Sequence, residues 1–276
     1  MEHPPIITLT TDFGTQDGYV GAMLGVILGI CPRAQLHTIT HAIDPQDVRG
    51  GAQALATAAP WFPRGTVHVG VVDPGVGTAR RGVVVEVGGQ RFVGPDNGLF
   101  GPVVDALEAH SDRARWLQID APGRTLPHIS STFHGRDVFA PIAAHLAAGV
   151  PLSALGVELP DPVRLPPPLC RRDGDAVWGE VVTVDRFGNL ITNIPASAVE
   201  GAPDVRAHWV DHPDASAVEG LLRSYGEAVD GGLLLLVGSS GYVEVAVNGG
   251  SAAAALGLRR GARLQLVAQR PAQGSM

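Results

Sequence analysis

The chain has 276 residues, of which 45% are hydrophobic and 17% charged, and this composition excludes an intrinsically disordered protein. Its formal net charge is −7, and with no run of basic residues it is a poor candidate for binding the backbone of a nucleic acid. All 20 basic residues are arginine, which excludes chemistry that needs a lysine nucleophile or Schiff base.

The two cysteines, Cys31 and Cys170, stand in no metal-binding or redox motif, so neither a disulfide framework nor a zinc site is predicted. The N-terminal residues lack a basic segment followed by an apolar stretch, so no signal peptide is expected. No run approaches the ~20 apolar residues that span a membrane. We therefore expect a cytoplasmic enzyme.

The first part of the chain alternates between strand-like and helix-like patterns. In chain order we predict a strand over 5–10, a helix over 18–30, a strand over 35–40, a helix over 47–60, a strand over 66–72, a hairpin of strands over 82–87 and 91–93, and helices over 97–109 and 137–148. Asp47 is placed to cap the second helix. The alternation predicts an N-terminal α/β domain, residues 1–160, with a central and mostly parallel sheet between helices.

Residues 161–175 are rich in proline and are predicted to form an extended linker. Beyond it, short β-rich runs predict strands over 178–184, 190–194, 205–210, 233–237, 242–247 and 263–268, with helices over 216–227 and 251–256. This pattern predicts a second domain, residues 176–276, that is a mainly antiparallel β-barrel.

Polar residues follow several of the predicted strands, at the sheet edge where open α/β folds bind their ligands. Asp12 and Asp73 each follow a strand and precede a glycine turn, and His134 also precedes a glycine. A lone carboxylate or histidine in a turn is more often a turn former, a helix cap or a solvated side chain. Asp73 is more suggestive, because a carboxylate after a fully apolar strand is costly to bury unless it is paired, and Arg80 is a candidate partner.

Several common motifs are absent from the sequence. The Val-Asp-Pro-Gly-Val-Gly segment has too few glycines in the right places for a dinucleotide fingerprint, and without lysine there is no phosphate-binding P-loop. The Gly-Ser-Ser-Gly segment at 238–241 precedes a β-rich run, so it does not have the strand-to-helix context of a hydrolase nucleophile.

Six motifs in order along the chain do carry a resemblance. They are Thr-Asp-Phe-Gly-(x)3-Gly, Val-Asp-Pro-Gly-Val-Gly-(x)2-Arg-Arg, Gly-Pro-Asp-Asn-Gly, Thr-Phe-His-Gly-Arg-Asp-(x)-Phe-Ala-Pro, Asp-(x)-Phe-Gly-Asn-(x)3-Asn-Ile and Gly-Ser-Ser-Gly-Tyr-(x)-Glu-(x)-Ala. The chain resembles the S-adenosyl-L-methionine (SAM) hydroxide adenosyltransferase, or SAM hydrolase, family over residues 5–269. Relatives of this family include the SAM-dependent fluorinase and chlorinase.

The resemblance implies which residues act on the substrate. Asp73, Arg80 and His134 would be catalytic. The remaining implied contacts are Asp12 with the ribose, Phe187 and Asn189 with adenine, Asp185 with the methionine amino group, and Ser239 and the backbone of Ser240 with the methionine carboxylate. The residue types fit these groups, because a carboxylate accepts from both ribose hydroxyls, a purine stacks on an aromatic ring, and an ammonium pairs with a carboxylate.

The resemblance also implies the reaction and the assembly. Water would attack C5′ of SAM in a nucleophilic substitution that gives adenosine and L-methionine, with SAM as a substrate and no metal or cofactor. Either Asp73 or His134 could be the general base. The implied assembly is a homotrimer with active sites at subunit interfaces, between the N-terminal domain of one subunit and the C-terminal domain of its neighbour.

Three alternatives stay open. A halogenase is the closest in chemistry, but the halogenases carry a tyrosine where this chain has Asp73, and the fluorinase carries a serine where it has Gly135. A carboxylate beside the nucleophile would repel a halide by roughly 4 kcal/mol at 4 Å, which favours water. The other two alternatives are a non-catalytic SAM- or adenosine-binding protein and a metal-dependent phosphoesterase using Asp12, Asp73, Asp96 and His134. Gln46 replaces a tryptophan of the halogenases, which affects how the ribose would be packed.

Overall fold

A computed structural model describes residues 3–202 and 204–269. The chain forms two compact units, of which the first ends at Leu165 and the second begins at Pro166. The first unit contains, in chain order, β1 (Ile6–Thr11), α1 (Tyr19–Ile30), β2 (Gln35–Thr40), α2 (Val48–Ala58), β3 (Val67–Val71), β4 (Gly82–Val87), β5 (Gln90–Pro95), α3 (Gly101–Glu108), β6 (Arg115–Ile119), α4 (Ala140–Ala147) and β7 (Gly156–Glu158).

The seven strands of the first unit form one sheet in the order β2-β1-β3-β5-β4-β6-β7. The first four strands in this order are parallel to one another, and the other three add antiparallel pairs at one side. All five residues of β3 are buried, as expected for a central strand covered on both faces. The sheet confirms the predicted α/β fold.

Helices cover both faces of this sheet. On one face, α1 and α4 bury Met23, Ile27 and Ile142 against the strands. On the other face, α2 and α3 bury Leu55 and Val103. The side chain of Asp47 accepts a hydrogen bond from the Gly50 N–H at 3.0 Å, so the predicted cap of α2 is confirmed.

The second unit is built almost entirely of strands. It contains β8 (Arg171–Asp173), β9 (Ala176–Val184), β10 (Leu190–Pro195), β11 (Asp204–Trp209), β12 (Val218–Glu219), β13 (Leu221–Leu222), β14 (Leu233–Val237), β15 (Tyr242–Val247), α5 (Ala252–Leu256) and β16 (Arg263–Gln269). The strand order is β12-β11-β16-β9-β10-β15-β14-β13, and β8 also pairs with β9.

This second sheet curves around its larger core, and a smaller buried cluster of Leu234, Leu236 and Ala246 lies apart from it. Its pairs are antiparallel except for β13 with β14, and β12 at one end contacts β14 near the other end, so the sheet is nearly closed. The core contains Val181, Val245 and Leu266. The predicted, mainly antiparallel and barrel-like fold is therefore confirmed.

The helix predicted over 216–227 is wrong. These residues form β12, β13 and a single 3-10 turn at Tyr225–Glu227. Gly220, with a φ of +81°, separates the two short strands, and Leu221 and Leu222 pair with β14. The helix predicted over 97–109 begins only at Gly101. Asp137, the predicted start of the next helix, lies in a π-helical turn at Gly135–Phe139, and α4 begins at Ala140.

Within the described residues, no helix has the length and apolar character needed to cross a membrane. The longest stretch of apolar helical sequence, α1, has 12 residues and buries Met23 and Ile27 in the first unit. The finding agrees with the absence of a long apolar run in the sequence.

Candidate active site

The carboxyl ends of three neighbouring parallel strands carry the polar residues of the first unit. Thr11, at the end of β1, lies opposite Val71, at the end of β3, and Asp12 and Asp73 follow these strands. The third strand, β5, pairs with β3 in parallel and leads directly into Asp96. Three carboxylates therefore follow one edge of the sheet, where α/β folds bind ligands.

Asp73 and Arg80 form a two-point ion pair. Arg80 donates from Nε to Asp73 Oδ1 at 3.1 Å and from Nη2 to Oδ2 at 2.6 Å. Their side chains are only 5% and 10% exposed, respectively. Burial raises the pKa of Asp73 above its ordinary value, although the positive charge and hydrogen bonds of Arg80 oppose the rise. The predicted partnership of the two residues is present in the structure.

His134 joins this pair through the same guanidinium. Arg80 Nη2 lies 2.9 Å from His134 Nδ1, and because an arginine nitrogen can only donate, Nδ1 is the acceptor. A neutral imidazole whose Nδ1 accepts carries its proton on Nε2. Burial, and then the charge of Arg80, lower the pKa of His134, which favours this neutral form. Asp73, Arg80 and His134 thus form one contiguous group, which we call the trio.

Close backbone packing brings the loop of His134 to the loop of Arg80. Gly77 has a φ of +76°, and a Cβ atom there would lie 2.2 Å from the carbonyl oxygen of Ser131. Only glycine allows this approach. The fully buried Asp137 then fixes the other side of the His134 loop by accepting from the Ser130 N–H at 2.8 Å. Asp137 therefore anchors the loop that positions His134.

Asp137 is also paired with the residue before it. Arg136 donates to both of its carboxylate oxygens. Burial alone would raise the pKa of Asp137, but the hydrogen bonds from Arg136 and the Ser130 N–H outweigh burial and lower it. The sequence predicted Asp137 only as a helix start, and its contact with Ser130 shows the larger role.

Asp12 is held by the loop that follows the neighbouring strand β2. Its Oδ2 accepts from the Gln46 N–H at 2.8 Å. Gln46 has a φ of +66° and is the one non-glycine residue in the described part of the chain with a left-handed backbone. Thr11, the residue before Asp12, contacts His41 Nδ1 at 2.9 Å, and the His41 carbonyl accepts from the Gly14 N–H. Asp12 thus lies at the same sheet edge as the trio, in a backbone of fixed shape.

In the second unit, Asp185 organises the predicted adenine-binding turn. Its Oδ1 accepts from the N–H groups of Phe187 and Asn189, and its Oδ2 accepts from the side-chain amide of Asn189, each at 2.9 Å. Asn189 is buried, whereas the Phe187 ring is 76% exposed. The turn thereby presents a large flat apolar surface that the folded unit leaves open.

Ser239 and Ser240 lie in the tight turn between β14 and β15. The turn is closed by a hydrogen bond from the Gly241 N–H to the Gly238 carbonyl at 2.9 Å. Ser239 is exposed and Ser240 is partly buried. Both residues are therefore at the surface of the second unit.

Sequence reasoning assigned no role to Glu244, which lies under this turn. Glu244 is buried, and Tyr225 donates a short hydrogen bond to it. Burial raises the pKa of Glu244, and the negative charge of Asp185 raises it further, although the Tyr225 bond opposes this. Burial, followed by the bond to Glu244, raises the pKa of Tyr225 to about 12. Glu244 stands in the last of the six motifs, which is the signal that could have drawn attention to it.

Three of the four residues of the phosphoesterase hypothesis have arginine partners, and the fourth, Asp12, accepts from the Gln46 N–H. Asp73 pairs with Arg80 and Asp96 with Arg81, while His134 accepts from Arg80. In the described ranges, no group of three or more histidine, cysteine or carboxylate side chains could hold a metal ion. The carboxylates of Asp73 and Asp96 are thus paired with arginine side chains.

The protein therefore belongs to the class of two-unit proteins with an α/β unit and a β unit. The sheet of the first unit is covered by helices on both faces and carries the Asp-Arg-His group at its carboxyl edge, which is an enzyme-like site. The second, β-barrel-like unit presents an exposed aromatic turn. Comparison with family models identifies the protein further. The models described as the SAM hydroxide adenosyltransferase N-terminal and C-terminal domains match residues 7–156 and 179–265. The chain belongs to the SAM hydroxide adenosyltransferase family.

Individual relatives are similar to this chain over most of its length. A protein of Salinispora arenicola named (R)-S-adenosyl-L-methionine hydrolase is 43% identical over 97% of this chain and 100% of its own length. A fluorinase of Actinoplanes sp. is 32% identical over 72% of this chain and 74% of its own length. The crystal structure of an uncharacterized conserved protein from Thermotoga maritima superposes with a TM-score of 0.86 at 35% identity, covering 95% of this chain and 99% of that one.

Proposed function

We propose that this protein is a SAM hydrolase that attacks C5′ of SAM with water and releases adenosine and L-methionine. The observation that carries the proposal is the buried guanidinium of Arg80, which binds Asp73 at two points and His134 at a third. The family membership supplies the substrate class, and the name of the Salinispora relative supports hydrolysis.

The chemistry needs a positioned water molecule and a proton acceptor. The sulfonium of SAM is already a good leaving group, so a bond can form from the water oxygen to C5′ as the C5′–S bond breaks and methionine leaves as a neutral thioether. The enzyme must align the water with this bond and accept its proton. Because the reaction cancels charge, a pocket that excludes bulk water favours it.

We assign the proton to Asp73. The Nδ1 lone pair of His134 is already used by Arg80, and its Nε2 carries a proton, so the histidine is a donor toward the water oxygen. Asp73 is the remaining acceptor, and burial makes it a stronger base than an ordinary carboxylate. Arg80 holds both groups in place and stabilises the carboxylate before the proton arrives.

The substrate contacts follow the chemistry of the remaining residues. Asp12 keeps acceptor positions for the two ribose hydroxyls beside its bond from Gln46. The exposed ring of Phe187 suits stacking by adenine, and the Asn189 side chain lies in the same turn. The remaining contacts are those of the methionine part, with Asp185 for its ammonium and Ser239 and Ser240 for its carboxylate.

The assembly stays a prediction from the family resemblance. We propose a homotrimer in which the N-terminal unit of one subunit and the C-terminal unit of its neighbour bind one SAM molecule. Light scattering on the purified protein checks the subunit number, and a monomer with full activity would contradict the shared site. SAM is the substrate in this scheme, and no metal or cofactor takes part.

The fluorinase relative makes halogenation the second candidate, because it shows that a homologous chain can bear that activity. Asp73 favours water over a halide, since two negative charges at close range repel each other. The distinction is chemical, because a halogenase would release a 5′-halo-5′-deoxyadenosine where a hydrolase releases adenosine.

A product assay tests the proposal. The protein is incubated with millimolar SAM, with and without chloride or fluoride, and the products are separated by chromatography against a protein-free control. We expect adenosine and methionine in equal amounts, no halogenated nucleoside, and the same rate with a chelator present. A protein that binds SAM without forming adenosine would be the non-catalytic alternative, and loss of activity with the chelator would favour a metal-dependent enzyme.

A further inference from the structure

The Gly-Pro-Asp-Asn-Gly motif has no part in the proposed chemistry, yet it lies beside the trio. It forms the end of β5 and the turn that follows, next to the end of β3. The strands are packed closely here, because a Cβ atom on Gly94 would lie 2.2 Å from the carbonyl oxygen of Gly70. The turn therefore has little freedom to move relative to the strand that leads to Asp73.

Asn97 binds the backbone immediately before Asp73. Its side-chain Nδ2 donates to the Val72 carbonyl at 2.8 Å, and its Oδ1 accepts from the Leu99 N–H at 3.2 Å. Val72 lies beyond the end of β3, where the strand no longer supplies backbone partners. The amide of Asn97 thus takes the place of a ladder bond at this point.

Asp96 binds the residue immediately after Arg80. Its N–H donates to the Arg81 carbonyl at 2.9 Å, and its Oδ2 accepts from Arg81 Nε at 2.8 Å. The side chain of Asp96 is only 1% exposed, and its Oδ1 accepts from the Val163 N–H at 2.8 Å. The Arg81 carbonyl accepts from Arg80 Nη1 as well. Asp96 therefore fixes the backbone that also orients the guanidinium of Arg80.

Two consecutive residues thus hold both sides of the ion pair through its chain neighbours. We propose that Asn97 and Asp96 are positioning residues of the active site, which set the distance and angle between Asp73 and Arg80. The inference rests on the proposed hydrolysis, because it predicts how turnover responds. Misplacement of a catalytic group by about 1 Å can cost on the order of 100-fold in rate, so small shifts here are measurable.

The test uses Asn97→Asp. This change keeps the size of the side chain and its acceptor for Leu99, but it replaces the donor with an oxygen that faces the Val72 carbonyl. We expect kcat to fall about 10- to 100-fold with KM within about threefold, because substrate-binding residues are unchanged. We also expect the acid limb of the kcat–pH profile to move, since Asp73 no longer meets Arg80 at two points.

Asn193→Asp is the matched control. Asn193 makes the same two kinds of bond in the second unit, donating from Nδ2 to the Leu169 carbonyl and accepting from the Glu180 N–H, each at 2.8 Å. It should lower the melting temperature but leave kcat and the pH profile within twofold of the wild type. The control separates lost stability from lost positioning.

Asp96→Asn decides the matter if Asn97→Asp does not fold. It keeps the backbone bond to Arg81 and an acceptor for Val163 but removes the charge that pairs with Arg81. As for Asn97→Asp, we expect kcat to fall while KM stays nearly unchanged. Folded variants with wild-type kcat, or a loss of kcat no larger than that of Asn193→Asp, would overturn the inference. A wild-type protein that forms no adenosine would instead overturn the proposed function.

Discussion

Arg80 is a buried cation whose surroundings supply partners on three sides. Asp73 neutralises its charge, His134 accepts a hydrogen bond from it, and the centroid of the Phe139 ring lies 5.3 Å from the guanidinium carbon. A buried charge is tolerated only when its hydrogen-bonding groups are satisfied in this way. The guanidinium also determines which nitrogen of His134 carries the proton, and in the proposed mechanism this leaves Asp73 as the base.

Asp73→Asn tests the assignment of the base. The amide keeps the shape of the side chain but cannot accept a proton, so we expect kcat to fall by about 100-fold or more while SAM still binds. Turnover and calorimetric binding measure the two effects separately. Asp105→Asn is the control, because Asp105 also pairs with an arginine, Arg164, but is 69% exposed at the surface. A wild-type rate in Asp73→Asn would remove this residue from the mechanism.

The pH dependence of kcat follows from the two shifted groups. The pKa of Asp73 is raised from 3.8 by burial, so the acid limb of kcat is expected at a higher pH than for an ordinary carboxylate. The pKa of His134 is lowered from 6.5 by burial and by the charge of Arg80, so His134 is expected to stay neutral to a lower pH than a free imidazole. At low pH Asp73 is protonated and cannot act as base, and a proton gained on Nδ1 of His134 opposes Arg80. A kcat–pH profile over the acid range checks this, and an acid limb at or below pH 3.8 would contradict the raised pKa of Asp73.

At the scale of loops, one glycine joins the two halves of the trio. Gly77→Ala would drive a methyl group into the Ser131 carbonyl, so the loops of Arg80 and His134 must separate. We expect the variant to lose most of its kcat and to melt at a lower temperature. Gly123→Ala is the matched control, since Gly123 also has a positive φ, +74°, but has open space around it.

The comparison between these two variants separates the effect of the close contact between Gly77 and the Ser131 carbonyl from the effect of a positive φ alone. Gly123→Ala should cost only about 1 kcal/mol of backbone strain and leave kcat unchanged. Equal loss of activity in both variants would mean that the contact between Gly77 and Ser131 does not position His134.

The sequence predicted the elements whose pattern is set by burial alone. β1 and β3 are nearly continuous apolar or β-branched runs because the sheet is covered on both faces, and their bounds differ from prediction by about one residue. β6 was missed because Arg115–Ile119 mixes charged, aromatic and polar residues. The short strands β12 and β13 were mistaken for a helix, since apolar residues at 218, 221 and 222 also fit helical spacing.

Some contacts of the candidate site could be predicted from the sequence and others could not. The pairing of Asp73 with Arg80 follows from two residues seven positions apart around a glycine turn, which local pattern can suggest. The contact between Asn97 and Val72 could not be predicted, because it depends on β5 lying beside β3 in the sheet. The donor role of His134 likewise depends on a neighbour 54 positions away.

On the scale of the whole molecule, each unit buries its own apolar residues, and a buried histidine lies on an interior strand of the first unit. His68 on β3 is fully buried opposite Thr8 on β1, with Nδ1 2.7 Å from the Thr8 hydroxyl. Its ring stacks on Phe92 at a centroid distance of 4.8 Å. Burial lowers its pKa to about 4.

This histidine should make the protein acid-sensitive. The unfolded chain binds a proton near pH 6.5 but the folded one only near pH 4, so stability is lost as the pH falls between these values. The loss from His68 alone is on the order of 3 kcal/mol. Urea unfolding at pH 7 and at pH 4 measures this loss as a difference in the free energy of unfolding. The difference should be smaller in His68→Gln than in the wild type.

His37→Gln is the control for that measurement, because His37 is exposed on the edge strand β2. The His37→Gln variant should show the same difference in the free energy of unfolding between pH 7 and pH 4 as the wild type. The same difference in His68→Gln and the wild type would mean that the acid sensitivity comes from other groups.

The origin of the oxygen in the product tests the central claim most directly. The protein is given SAM in water enriched in oxygen-18, and the adenosine formed is analysed by mass spectrometry. Attack by water at C5′ predicts one heavy oxygen in the 5′-hydroxyl and none in methionine. Adenosine without the label, or no adenosine at all, would contradict the account.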